Sequence, residues 1–501
     1  MLKRMFVSPD PGRLRLRSGV RAVLGIGLAV VVCGLAGHSL VAAITGGLAA
    51  LLALFTVLDI TVRAQAITTA LLPAVGFPVL ALAAGLHDHP RVRDVAFLAV
   101  MGLGVYARRW GPRGHSLGVF AFMAFFTTQF LHTLPGQLPE LYSAVALSLL
   151  ASSTVRFGLW CYERRRSPAA VPAPVTGEGL ARATTRQAIQ ATAGGALALA
   201  AGLLLSEQRW YWAVGATWWV FVNTASRGET LVRGFRRILG TLIGIPIGLA
   251  AVVPLHGAAV PSAILVAIGV FGIFYTAAVS YTWMVFSVTL MAGALYGLLG
   301  VLDPALLVLR LTETAAGALG AMLAVLLVLP VTTHATTDAW IQRALRCVHT
   351  CTAEAAARLS GSPTADPAPR IAELEALLGR VRLSLAPLVH PLSPLRARRA
   401  RARQVVALLD TCAREVRGLA SVAADPEASH DARLAAACWR VEAAVEALTA
   451  PDLPQRACSP GIPSHPAAAE PALAHLHGLE RALAELAAPL RSDPRAPLIG
   501  V

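Results

Sequence analysis

The sequence predicts an all-α polytopic membrane protein, two six-helix transmembrane repeats followed by a cytoplasmic helical bundle. Three observations predict it. The chain is 56% hydrophobic and only 14% charged, with a mean hydropathy of +0.62, well outside the composition of soluble globular domains. Apolar windows of membrane-spanning length crowd residues 19–330, and a polar, proline-rich stretch from Tyr162 to Arg186 divides them into two sets of six. Beyond residue 333, alanine and leucine mix with arginine and glutamate at three- and four-residue spacing, the pattern of packed soluble helices.

A hydrocarbon core of about 30 Å needs roughly 20 apolar residues per helix. Windows near that length fall at 19–36, 39–57, 65–86, 94–108, 116–133 and 139–160, then at 186–205, 208–225, 235–254, 260–278, 281–300 and 306–329. The basic N-terminal stretch opens like a signal peptide, but its apolar segment runs long and further spans follow at once, so it is read as the first span. The second set restarts in the manner of the first. "VRAVLGIGLAVVVCGLAG" parallels "TRQAIQATAGGALALAAG", with Arg21 answering Arg186, which predicts an internal duplication at a period of about 165 residues. The predicted boundaries are 1–166 for the first repeat, 167–184 for a linker, 185–332 for the second repeat and 333–501 for the cytoplasmic domain, whose helices are expected at 336–360, 369–387, 395–423, 429–449 and 468–490.

Charge fixes orientation. Of the net +15, residues 333–501 contribute little, with 19 arginines against 17 acidic residues, so the excess belongs to the membrane part. If the spans alternate, Arg63, Arg108, Arg109, Arg113, Arg182, Arg227 and the cluster Arg233, Arg236 and Arg237 share one side with the basic N-terminus; Arg91, Arg93 and Arg209 face the other. The positive-inside rule then places both termini in the cytoplasm and the protein in the plasma membrane. No nucleic-acid partner is expected: the basic run "RARRARAR", 396–403, has no interleaved aromatics and suits anionic lipid or the acidic face of a neighbouring helix. Seven scattered cysteines give no ligand set. Cys347 and Cys351 lie one helical turn apart without a matching histidine or cysteine pair, so neither metal nor cofactor is expected. No phosphate-binding lysine loop, H-E-x-x-H or G-x-S-x-G occurs, and the chain is read as non-enzymatic.

From Trp210 the chain reads "WYWAVGATWWVFVNTASRGETLVRGFRRILGTLIGIPIGLA". This resembles the fusaric acid resistance (FUSC) and aromatic acid exporter proteins, which place tryptophan near the start of a repeat's second helix and arginines before a G-T-x-x-G stretch opening the third. Here those positions are Arg233, Arg236, Gly240, Thr241 and Gly244, with Arg237 as an additional basic residue. "SYTWMVFSVTLMAGALYGLLG" and "RLTETAAGALGAMLAVLLVLP" are similar to the family's closing pair of helices. The resemblance is clear over 182–330 and faint over 13–166, where "DITVRAQAITTALLPAVG" keeps Arg63 but lacks the glycine–threonine motif. It implies export of aromatic or other organic carboxylic acids, and an architecture similar to plant aluminium-activated malate channels.

Individual residues carry two readings each. Gly240, Gly244 and Gly248 form a stripe for close helix packing, and Thr241 can return its hydroxyl to its own helix. Arg310 and Glu313, three apart in the last span, either snorkel outward and neutralise each other or hold a substrate carboxylate and a coupling proton. Arg156 is the first-half counterpart, near a cytoplasmic end. Trp218, Trp219 and Asn223 offer an aromatic platform with a polar neighbour, or ordinary bundle packing. Gln129 and His132 in span five need partners, His132 as an interfacial group or a proton relay. The expected function is proton-coupled export of small organic anions, with a passive anion channel and a non-transporting scaffold as alternatives. The expected partners are the lipid bilayer and a small organic anion, and a homo-oligomer is compatible with the sequence.

Overall fold

The computed structural model describes residues 13–59, 61–163, 179–222, 224, 227–329, 333–359, 362, 365–389, 396–423, 432–449 and 470–491. The predicted linker and Asn223 lie largely or wholly outside them. Among the described residues every regular element is a helix, and the elements fall into two units.

The first unit holds α1 (Leu14–Leu35), α2 (Leu40–Thr56), α3 (Val62–Gly85), α4 (Pro90–Tyr106), α5 (Gly111–Phe130), α6 (Leu138–Glu163), α7 (Ala183–Leu205), α8 (Tyr211–Phe221), α9 (Arg227–Val252), α10 (Ala259–Thr276), α11 (Tyr281–Leu298) and α12 (Pro304–Leu327). Local chemistry starts several of them. The Ser39 and Thr61 side chains accept from the backbone N–H groups of Ala42 and Ala64, and Asp303 caps α12 through Ala305 N–H with Pro304 at the first helical position. Eight of the described helices are long and apolar enough to cross a membrane, so the chain is a polytopic membrane protein. The others are α2, α4, α5 and α8.

The largest departure from the predicted spans is α8. Its 11 residues cover only about 16 Å, against the 18-residue window expected at 208–225. The chain turns at 207–210 before it and becomes extended at Val222 after it, at φ −60°, ψ 125°. An interrupted helix is tolerable in a membrane only if the freed carbonyls find donors. They do: the Arg108 guanidinium donates to Phe221 O (3.2 Å) and Thr224 O (3.1 Å), and Gln187 Nε2 donates to Thr224 O (2.9 Å).

Helix pairing repeats after six helices. In the first half α1 packs on α2 and α6, α2 on α6, α3 on α5 and α6, and α4 on α5. In the second, α7 packs on α8 and α12, α8 on α12, α9 on α11 and α12, and α10 on α11. The halves also exchange reciprocally: α4 packs on α7, and α10 on α1. Even the breaks correspond, since α3 and α9 each carry an internal Gly-x-Pro, Gly76–Pro78 and Gly244–Pro246.

The second unit contains α13 (Thr333–Leu359), α14 (Ala368–Val389), α15 (Arg396–Ala423), α16 (Ala432–Thr449) and α17 (Glu470–Arg491), close to the expected ranges. Trp340, Leu345, Leu377, Leu409, Val441 and Leu476 belong to one shared core. Cysteines serve there as small apolar residues. Cys351 and Cys412 are fully buried, and burial pushes the Cys412 thiol up to about 12 and that of Cys438 up to about 11, which keeps both as thiols.

Candidate functional site

A cavity of about 110 Å³ lies among α2, α5, α8 and α11, the four helices that exchange places under the six-helix shift, with single contributions from α9, α10 and α12. Its wall is apolar and aromatic. Leu51, Leu52 and Phe55 come from α2, Met123, Phe126 and Phe130 from α5, and Met284, Met291 and Leu295 from α11. The helical period puts Trp212, Gly215 and Trp219 of α8 on one face, and all three line the cavity. Two charged side chains also line it, Arg310 and Arg237.

Arg310 does not snorkel. It is 5% exposed, its guanidinium carbon stands 4.3 Å from the centroid of the Trp212 ring, and its Nη1 has no hydrogen-bond partner among the described residues. A desolvated cation over an indole gains about 2 kcal/mol, well short of what full burial of the charge costs. Glu313 follows one turn on and is completely buried. Neither of its oxygens has a hydrogen-bond partner among the described residues, Arg310 included, so the expected mutual neutralisation does not occur through a direct bond. The pair thus supplies a donor and a carboxylate that are both unsatisfied.

Arg237 forms a second cationic station. Its Nη1 donates to the Tyr281 hydroxyl (3.3 Å), which donates to Trp219 O (3.0 Å), while its Nε has no partner among the described residues. Arg233 lies 4.1 Å from the centroid of the same tyrosine ring. Sequence reasoning treated Arg237 only as one more cytoplasmic charge. The available signal was its spacing of one turn from Arg233 and one turn before Thr241, which puts it on the inward face of α9.

The other sequence candidates occupy different places. Trp219 lines the cavity, but Trp218 points into the bundle and stacks on Phe122 at 4.2 Å between centroids. Gly240 and Gly244 face α11: a Cβ on Gly240 would stand 2.5 Å from Thr282 O, and one on Gly244 would stand 2.9 Å from Thr289 Cβ. Gly248 is looser, with a Cβ reaching only ordinary contact at Leu290. Thr241 is buried and Arg236 half-buried. Gln129 is buried near the end of α5, and His132 sits in the turn after it at φ +50°.

Arg156 is not in the cavity wall. It donates through Nη1 to Val57 O (2.8 Å) and through Nη2 to Ala53 O (2.5 Å), closing the carbonyl end of α2 as Arg108 closes that of α8. Replacing Arg156 with leucine leaves Val57 O without this donor in an apolar setting, which costs about 1–3 kcal/mol. A lowered midpoint of thermal unfolding in detergent, with Arg156→Lys intermediate, is the expected measurement.

These features, many apolar helices around an aromatic, cationic cavity, fit a transporter-type membrane protein. Residues 197–324, from within α7 to within α12, match the family model described as fusaric acid resistance protein-like. The match covers about a quarter of the chain, contains Arg237, Arg310, Glu313 and the glycine–threonine motif, and supports assignment to the FUSC family. No curated protein and no solved structure matches the chain.

Proposed function

We propose that the protein exports small organic anions, monocyclic aryl carboxylates foremost, in exchange for protons. One observation carries this reading: two buried arginines with unpartnered N–H groups open into an aromatic cavity. A carboxylate supplies the acceptors those groups lack, and the apolar wall takes the ring. Size agrees, because a dry cavity of about 150 Å³ accommodates benzene, and the one here, at about 110 Å³, suits a single small ring after slight adjustment. Glu313 is the proton carrier in this reading, within one turn of Arg310.

The repeated helix pairing supports descent of the two halves from one six-helix unit, with the binding site between them as in other repeat-built transporters. We read α1–α12 as twelve crossings. The arginine asymmetry then orients the ends of α2, α4 and α8 toward the cytoplasm, with the N-terminus and the second unit on that same side.

Benzoate uptake into proteoliposomes tests the reading. Saturable uptake stimulated by an opposing pH gradient, and lost in Arg310→Gln, is expected. Benzoate conductance indifferent to pH instead identifies a passive channel. Absence of transport across a panel of monocyclic aryl and short aliphatic acids, with function in cells depending on residues 335–501 alone, favours the scaffold.

A further inference from the structure

Resting on that reading, we infer that Arg237 and Arg310 are successive, not simultaneous, partners of one substrate carboxylate: a loading station at the cytoplasmic end of the cavity and a release station at the outer end.

The two arginines are tied to α8 at different heights. Arg310 stacks on Trp212, and Arg237 reaches the backbone of Trp219 through the Tyr281 hydroxyl. Seven residues separate the two tryptophans, two helical turns, or about 10 Å along the axis. A charge-assisted hydrogen bond spans only about 2.7–2.9 Å. The cavity, at about 110 Å³, is too small for two rings, so one bound acid presents one carboxylate to one station at a time. Between the tryptophans lies Gly215, whose missing side chain lets the Phe126 ring pack against α8 at that level. A Cβ there would stand 2.7 Å from the Phe126 ring, so the passage between stations has an aromatic wall on its α5 side.

The stations differ in chemistry, which gives the transfer a direction. Arg237 has Arg233 beside it, bridged by the Tyr281 ring, and no carboxylate stands within one turn of it on α9. Arg310 has Glu313 one turn away, with two oxygens that lack hydrogen-bond partners among the described residues, and Arg209 is the other cation facing that carboxylate. An anion is therefore held without competition at the inner station, whereas at the outer one Glu313, once free of its proton, competes for the guanidinium and displaces it. The substrate's covalent bonds do not change; the carboxylate exchanges one guanidinium for another, and the proton that Glu313 gives up passes to water on the cytoplasmic side.

Sided kinetics in proteoliposomes of fixed orientation, with benzoate as the probe, test this. Arg237→Gln is expected to raise KM about tenfold or more for benzoate presented on the cytoplasmic side, and to leave the outer-side KM within about twofold. Arg310→Gln is expected to do the reverse, and lysine at either position should restore part of the loss. Should a glutamine variant fail to reach the membrane, Tyr281→Phe, which removes the hydroxyl that Arg237 contacts, and Trp212→Phe carry the same comparison, inner and outer side respectively. Substitutions that raise KM equally from both sides overturn the two-station inference while leaving the transport reading standing. A wild-type protein that does not move benzoate removes both.

Discussion

Glu313→Gln is expected to abolish stimulation of benzoate uptake by a pH gradient, while exchange of labelled for unlabelled benzoate persists within about threefold of wild type. Glu313 is completely buried, and both of its oxygens lack partners among the described residues. A carboxylate in such surroundings is costly as an anion, and the cations that face it are the guanidinium groups of Arg209 and Arg310. Glutamine keeps the shape and cannot titrate, so it separates the two roles: binding at the arginines survives, but the coupled cycle does not. If the gradient drives Glu313→Gln as strongly as wild type, the coupling proton is carried elsewhere. Loss of exchange together with coupling would instead make Glu313 part of anion binding.

The second large effect is structural. Gly240→Leu is expected to prevent assembly of the first unit, read as loss of the monodisperse peak after detergent extraction, with little material in the membrane fraction. Even a Cβ at this position would stand 2.5 Å from the Thr282 carbonyl oxygen and 2.9 Å from Val285 Cβ, and the first of these is backbone that cannot turn aside. Overpacking of this kind typically costs about 1–3 kcal/mol where neighbours can shift, and a leucine here must separate α9 from α11. That separation also pulls Arg237 from Tyr281, so whatever folds should have lost the inner station. Gly248→Ala is the internal control: its Cβ meets Leu290 only at 3.9 Å, and near-normal behaviour is expected.

Much of this was legible because it is local. Arginine clusters and apolar windows mark helix ends within a few residues, and the glycine stripe of α9 announced its close neighbour without naming it. Where interruptions fall was less legible: α8 ends at Phe221 because Arg108 and Gln187, from distant segments, can satisfy its last carbonyls. Arg156, which looked like a pathway residue, serves the end of α2 in the same manner, and no window around residue 156 records where Val57 O lies. For the paired indoles, Trp218 and Trp219 differ in role because adjacent helical residues face about 100° apart, one toward Phe122 and the other toward the cavity.

The sequence by itself determined that this chain is helical, enters the membrane repeatedly, concentrates its basic excess in the apolar part and carries a FUSC-like segment, since hydropathy, charge and helical period are properties of neighbouring residues. Only the tertiary structure decided that Arg237 and Arg310 share a wall with Trp212 and Trp219, and that Glu313 stands without a hydrogen-bond partner. Those relations join α8, α9, α11 and α12 across more than 90 residues of chain, and burial of a charge is set by what packs around it.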